Sequence, residues 1–375
     1  MKLVLLFAGG RAGSDLLQSL LDGHKEVAQF PAVLHFTDEL LKIFKLKDPN
    51  NIAKKFISLN KLYFDSRLNK RERHDKLGKK KNEFYLVNKN LFIKNFVKIF
   101  KETKRENLDI LVCLHKAYML SQKINPNRLK IIFLHIHLFE NFRNYLKILN
   151  VYKDTKILIT YRDPLVSMCS TVKHWTAYDE GKHMTPRNLF SNYQFHFNIF
   201  NNLKEYKNKI RVVKLENIHT KSKKTLRKIC KFIGIEYSNI LLNSTYFNKK
   251  WWGDSISNKN LDGLNSNFKN KFDKDIFEYQ DIEFIENKII YILKKYNYPI
   301  RSKNNNIYSK FYFPLFKFEK KFYKITLEKF KFKTKLSIIL FYFKRLNLFK
   351  KKFSWKNLPN EIKKIIKNEN WNYRF

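Results

Sequence analysis

Two stretches of the chain carry residue types and spacings suited to holding phosphate-like anions. The first is residues 10–16: Gly10, Arg11, Ala12, Gly13, Ser14, Asp15 and Leu16. It follows the apolar run KLVLLFA and precedes leucines at helical spacing. The chain has only 9 glycines in 375 residues, and three of them, Gly9, Gly10 and Gly13, fall here. A turn that opens a helix directly after a strand aims unpaired backbone N–H groups and the helix dipole at an anion. Glycine lets the backbone approach closely, Arg11 adds a cationic fork, and Ser14 adds a hydroxyl donor. The stretch is not a Walker A loop, because Gly9 and Gly13 are too close and no Lys follows. It is not a G-x-G-x-x-G dinucleotide turn either.

The second stretch is ITYRDPLVSMCS, in which Arg162 precedes Ser170 by eight residues. An arginine at the carboxyl end of a strand, with a serine two helical turns on, suits one phosphate dianion. The plainer reading is an ion pair between Arg162 and Asp163. A third stretch, FLHIHLFENF, alternates so that His135 and His137 share one strand face. An imidazole suits a proton acceptor near neutral pH. The plainer reading is a pair of histidines satisfied by backbone carbonyls.

These residues need a scaffold. Residues 2–8 have the continuous apolar character of a buried parallel strand. Leu16, Leu17, Leu20 and Leu21 then share one helical face, and Gly23 is placed to end that helix in a left-handed cap. Further strands are predicted at 108–114, 130–137, 155–164 and 209–218, and helices at 165–175 and 223–235. Strands alternating with helices imply an α/β fold, a central parallel sheet covered by helices on both faces. Residues 1–300 are expected to form this domain, with a helical insertion at about 38–127. The charged run at 69–84 is expected as a solvated loop. Residues 301–375 hold 21 basic and 4 acidic residues with interleaved aromatics, and read as a basic C-terminal extension.

In this order, the two anion stretches resemble the sulfotransferases that use 3′-phosphoadenosine 5′-phosphosulfate (PAPS). In that family a strand-turn-helix with [KR]-S-G-[ST]-[TS] cradles the 5′-phosphosulfate. Here Arg11, Ala12, Gly13, Ser14 and Asp15 stand there, with Ala12 for a serine and Asp15 for a threonine or serine. The family's R-[DN]-P motif, with a serine eight residues after the arginine, binds the 3′-phosphate; Arg162, Asp163, Pro164 and Ser170 match it. LLDGHKEVAQFP, VVKLENI and TLRKICKFIGI resemble further family segments, with Lys25 in place of a proline. KKWWGDSISNKNLDG resembles the loop that closes over the nucleotide. The likeness runs over about residues 1–37 and 128–300.

The resemblance implies a P-loop-like three-layer arrangement of the central parallel sheet flanked by helices, PAPS as donor, 3′,5′-adenosine bisphosphate (PAP) as product, and no metal. It places residues 10–16, Arg162, Ser170, Trp252 and Lys259 at the nucleotide. Arg11 then also serves the transferring group. His137 takes the place of the family's catalytic base, and His135 that of a family lysine. Carbohydrate-directed relatives take a glutamate after the first helix, but Val33 occupies that position here, leaving Asp38 and His35 as rivals. Trp251 and Trp252 read equally as adenine-stacking rings or as packing. His24 reads as structural. Asp15 is stabilised by the helix dipole when the site is empty, and repels a phosphosulfate unless it turns away or is neutral.

The formal charge is +43. Lys, Asn, Ile, Phe and Tyr dominate, all with AT-rich codons, so base-composition bias competes with an anionic partner as the cause. Hydrophobic residues at 44% support a packed core and argue against a disordered chain. Cys113, Cys169 and Cys230 form neither a disulfide framework nor a zinc pattern, which fits a cytoplasmic protein. No apolar run reaches the length of a membrane-spanning helix. The acceptor is expected to offer a hydroxyl or amine on a carbohydrate, lipid or small metabolite. The basic tail is a candidate for anionic surfaces, without specific nucleic-acid recognition, and its apolar patches are candidates for a homodimer interface. A non-catalytic basic surface protein and a P-loop kinase stand as the alternatives.

Overall fold

A computed structural model describes residues 1–103, 109–137, 152, 154–177, 185–255, 263–302, 315–320, 323, 332–350, 358–360 and 362–363. The chain divides into two units: Met1–Arg162 with Glu205–Lys269, and Asp163–Lys204 with Asn270–Phe375.

The first unit is built on a five-stranded parallel sheet. Its strands are β1 (Lys2–Ala8), β2 (Val27–Gln29), β3 (Ile131–His137), β4 (Lys156–Tyr161) and β5 (Ile210–Lys214), in the order β2-β3-β1-β4-β5. β1 is central because both its faces are apolar: Leu3, Val4, Leu5, Leu6 and Phe7 are all buried. Leu5 pairs with Leu134 on one side and Ile157 on the other. Strand order reverses at β1, and in such sheets ligands bind at the carboxyl ends of the strands around that point. Helix α1 (Ser14–Leu21) buries Leu17, Leu20 and Leu21 in a cluster with Val4, Leu6, Phe133 and Leu158.

Between β2 and β3 lies the helical insertion: α2 (Asp38–Ile43), α3 (Pro49–Leu59), α4 (Lys61–Phe64), α5 (Lys89–Glu102) and α6 (Ile110–Ser121). Rings hold it to the sheet edge. Phe30, just past β2, contacts Phe56, Tyr63, His115 and Tyr118. The strand predicted at 108–114 is instead the start of α6. Asp109 caps it by accepting from the Leu111 and Val112 N–H groups, and a helix buried on several sides shows the continuous apolar run of a buried strand.

Helices α7 (Pro164–Ala177) and α8 (Pro186–Asn202) follow β4 and belong to the second unit. The chain re-enters the first unit through β5, then turns into α9 (Leu215–Thr220) and α10 (Ser222–Ile233). α10 is strongly amphipathic, with Leu226, Ile229, Cys230 and Ile233 buried and Lys223, Lys224, Arg227, Lys228 and Lys231 exposed. The predicted strand at 209–218 is therefore shorter, and its LENI end is helical. The hairpin β6 (Thr245–Tyr246) and β7 (Lys249–Lys250) comes next.

The second unit completes itself with α11 (Tyr279–Lys295) and α12 (Phe332–Leu348). Tyr193 of α8 contacts Phe316, Phe318 and Phe349, and its hydroxyl donates to Glu319 at 2.7 Å. Fully buried Arg345 pairs with Glu319 at 2.6 Å, so residues beyond 315 supply part of this core. No helix among the described residues is long and apolar enough to cross a membrane.

His115 gives the fold a pH dependence. It is fully buried against Phe30, and its Nδ1–H donates to the Leu111 carbonyl at 2.8 Å. Burial pushes its pKa down to about 4. The unfolded chain takes up this proton near pH 6.5, so the stability the neutral ring contributes is intact above about 6.5 and is lost as pH falls towards 4. Urea unfolding is expected to show stability falling over this range. In His115→Gln the slope against pH should be shallower by up to about one proton.

Candidate active site

β1 must pass into α1 between Ala8 and Ser14, and the turn does so with two left-handed residues. Arg11 has φ 60° and Gly13 has φ 82°. Gly13 is the N-cap of α1, and no side chain caps that end. The first turn of α1 thus begins directly after the end of β1, where backbone N–H groups and the helix dipole favour an anion. Ala12 and Ser14 are buried. Arg11, non-glycine in a left-handed conformation, carries backbone strain of order 1 kcal/mol. Its side chain is directed: Nη1 donates to Asp254 Oδ2 at 2.5 Å.

Asp15 stands in the first turn of α1, with its Oδ1 3.7 Å from His135 Nδ1. His135 is buried on β3, and its Nδ1 lies 2.8 Å from Gln18 Oε1. Gln18 uses its Nε2 on the Phe30 carbonyl, so its Oε1 is the acceptor and His135 carries the proton on Nδ1. The turn, α1 and β3 are therefore tied together behind the cradle. His137 ends β3 beside Ala8 of β1, and its side chain lies outside the described residues. The Leu34 N–H donates to the His135 carbonyl, which carries the next segment away from the end of β3. His35 and Asp38 lie exposed on that segment, Asp38 in the first turn of α2.

Arg162 leaves the end of β4 with its guanidinium carbon 5.5 Å above the Phe268 ring. His219 stacks on that ring at 4.4 Å, and burial, together with the Arg162 charge, pushes its pKa down to about 4. Asp163 is occupied elsewhere: it caps α7 by accepting from the Leu165 and Val166 N–H groups, and it pairs with Arg301. Ser170 lies half-buried on the second turn of α7.

The charged run 69–84 is not a solvated loop. Asn69, His74 and Leu77 are buried, and a one-residue bridge joins Leu77 to Glu83. The late aromatic loop explains this. Trp251 Nε1 donates to the Glu72 carbonyl at 2.6 Å, and Trp252 Nε1 to the Gly78 carbonyl at 2.7 Å. Trp251 is buried with Leu77, Tyr85 and Tyr246, so its ring is packing. Trp252 is half-buried with the ammonium groups of Lys81 and Lys250 at 4.6 and 4.0 Å from its ring centroid. Lys259 lies outside the described residues. His24 is structural: its Nε2 meets the Glu236 carbonyl at 2.9 Å, and its Nδ1 accepts from the Glu26 N–H. Asp254 and Glu72 escaped sequence reasoning. Asp254 had the cue of following WWG, and Glu72 was hidden in the charged run.

The family model that matches this chain is that of the sulfotransferase family, over residues 4–239. The chain belongs to the sulfotransferase family. The matched span holds the turn, both phosphate-type motifs and all five sheet strands of this sulfotransferase. Among solved structures, a sulfotransferase domain from the Synechococcus PCC 7002 olefin synthase shares 16% identity, covering 69% of this chain and 80% of its own, with a TM-score of 0.37. A sulfotransferase domain from the curacin biosynthetic pathway shares 15%, covering 80% and 98%, with a TM-score of 0.41. A sulfotransferase from Mycobacterium avium shares 10%, covering 80% and 79%, with a TM-score of 0.36. No curated protein matches the chain.

Gly13 tests the turn. A Cβ there would lie 2.3 Å from Leu215 Cδ1, on a residue already at φ 82°. Gly13→Ala is expected to lower stability by about 1–3 kcal/mol, read as a shift of the urea midpoint at unchanged slope.

Proposed function

We propose that this sulfotransferase moves a sulfuryl group from PAPS to a hydroxyl, or alternatively an amine, of a carbohydrate, lipid or small metabolite. The observation that carries the reading is the left-handed turn between the end of central β1 and the start of α1, with Arg162 just after adjacent β4. When bound, PAPS supplies an activated sulfuryl group on a phosphate leaving group. The backbone N–H groups of Gly13, Ser14, Asp15 and Leu16 and the Ser14 hydroxyl hold the 5′ end, with Gly10 and Ala12 shaping the turn. Arg11 neutralises charge there, and its pairing with Asp254 aims the guanidinium while it waits. The eight-residue spacing in the sequence assigns Arg162 and Ser170 to the 3′-phosphate, and Trp252 borders the base. No group of His, Cys, Asp and Glu among the described residues is arranged to hold a metal ion.

Asp15 is the residue that fits least. Its proximity to His135 supports a carboxylate turned towards β3 rather than into the cradle. A cytoplasmic setting is part of this reading. Cys113, Cys169 and Cys230 are free and buried, and burial pushes the Cys169 and Cys230 thiols up to about 11, which suits unreactive thiols in a reducing compartment.

Calorimetric titration with PAP, without magnesium, tests the donor. The wild type is expected to bind, and Arg162→Ala to bind ten- to a hundredfold more weakly, the worth of a charge-assisted contact. A folded wild type that does not bind PAP overturns the reading.

A further inference from the structure

Segment 71–73 lies along the late loop. The Arg71 carbonyl accepts from the Ser255 N–H at 2.8 Å, the Glu72 carbonyl accepts from Trp251 Nε1, and Arg73 Nη1 donates to the Trp252 carbonyl at 3.4 Å. Asp254, within that stretch, reaches Arg11 of the glycine turn. The backbone around Glu72 is thereby held against the late loop, whose Asp254 reaches the turn, by contacts that leave the Glu72 carboxyl group unused. Its Oε2 is sealed from solvent and accepts no hydrogen bond from any described residue.

The charges facing Glu72 come from each element around it. Asp15 of α1 and Asp254 of the late loop repel its negative charge, and Arg11 of the turn and neighbouring Arg71 attract it. Tyr246 of the hairpin feels its charge as well. Burial is the largest influence, and with the two aspartates it holds the Glu72 carboxyl well above the usual carboxylate range. A carboxyl oxygen that no described residue hydrogen-bonds, on a group held well above the usual carboxylate range among the charges of the turn, has the attributes of a general base.

We propose that Glu72 is the catalytic base that deprotonates the acceptor, a role that rests on the PAPS reading above. Glu72, as carboxylate, takes the proton from the acceptor O–H. The acceptor oxygen forms its bond to sulfur with the pair so released. The bond between sulfur and the 5′-phosphate oxygen breaks, and its electron pair stays on PAP. The proton leaves Glu72 for water that enters as PAP and the sulfated product depart. His137, the base implied by family likeness, has no part in this step.

The test needs no knowledge of the acceptor. Infrared difference titration of wild type should show a protonated-carboxyl band that titrates above the usual carboxylate range and is missing in Glu72→Gln. PAPS should move its midpoint upward more than PAP, which lacks the sulfuryl group. With water as acceptor, PAP release from PAPS should fall roughly a hundredfold in Glu72→Gln, the acid limb of the pH profile should disappear, and PAP affinity should stay within threefold. Either of two results overturns the assignment: no such band in the wild type, or a Glu72→Gln variant whose PAP release stays within threefold with the acid limb intact. Loss of the limb in His137→Ala instead returns the role to that residue. Failure of the wild type to bind PAP sinks the donor reading, a separate result from failure of the base.

Discussion

Everything at the site depends on how a strand buried on both faces is handed to a helix. β1 is hydrogen-bonded on each side, so its end cannot swing to suit a ligand. The chain has five residues, Gly9 to Gly13, in which to reverse from extended to helical backbone. It does so through Arg11 and Gly13 in the left-handed region. Glycine accepts that at little cost, and Arg11 does not. What the conformation achieves is a guanidinium at the turn, paired with Asp254, and a helix that starts immediately after it. Leu215 seals the turn from behind, leaving no room for a side chain at Gly13.

The same rigidity explains the layer behind the cradle. Gln18 sits one turn into α1 and bonds Phe30 with its amide nitrogen and His135 with its amide oxygen. Gln29 of β2 donates in turn to the Gln18 carbonyl. These buried hydrogen bonds tie α1 to β2 and β3 in one register. His135 serves this purpose where the family pattern has a lysine.

Much of the scaffold was legible because it is local. β1, β3, β4, α1 and α10 announce themselves by continuous or amphipathic apolar patterns, and both anion motifs are contiguous or eight residues apart. α6 was misread because a helix buried on several sides has no polar stripe to reveal its period. β2 has three residues, too few to show any period. The insertion's contribution was invisible for a different reason. Arg11 and Asp254 are 243 positions apart, and the run around Glu72 looks like solvent-facing charge until Trp251 and Trp252 are seen to pack on it. Local spacing holds no record of such pairings, and charge density in a segment says little about which of its residues face inward.

The overall charge and the mixed charges around the turn act at different ranges. A formal charge of +43 draws anions from a distance and raises their encounter rate. Screening confines each individual group to about 8–10 Å at physiological salt. Within that range Arg11 and Arg71 face the carboxyls of Asp15, Glu72 and Asp254. A carboxyl among other carboxyls, short of water, holds its proton to higher pH, and that makes it a better proton acceptor once ionised. Basic bulk charge gathers anions of any kind around the chain. The acidic cluster acts only on what has already arrived, so the chain's excess of lysine and the acidity of its candidate catalytic centre are compatible.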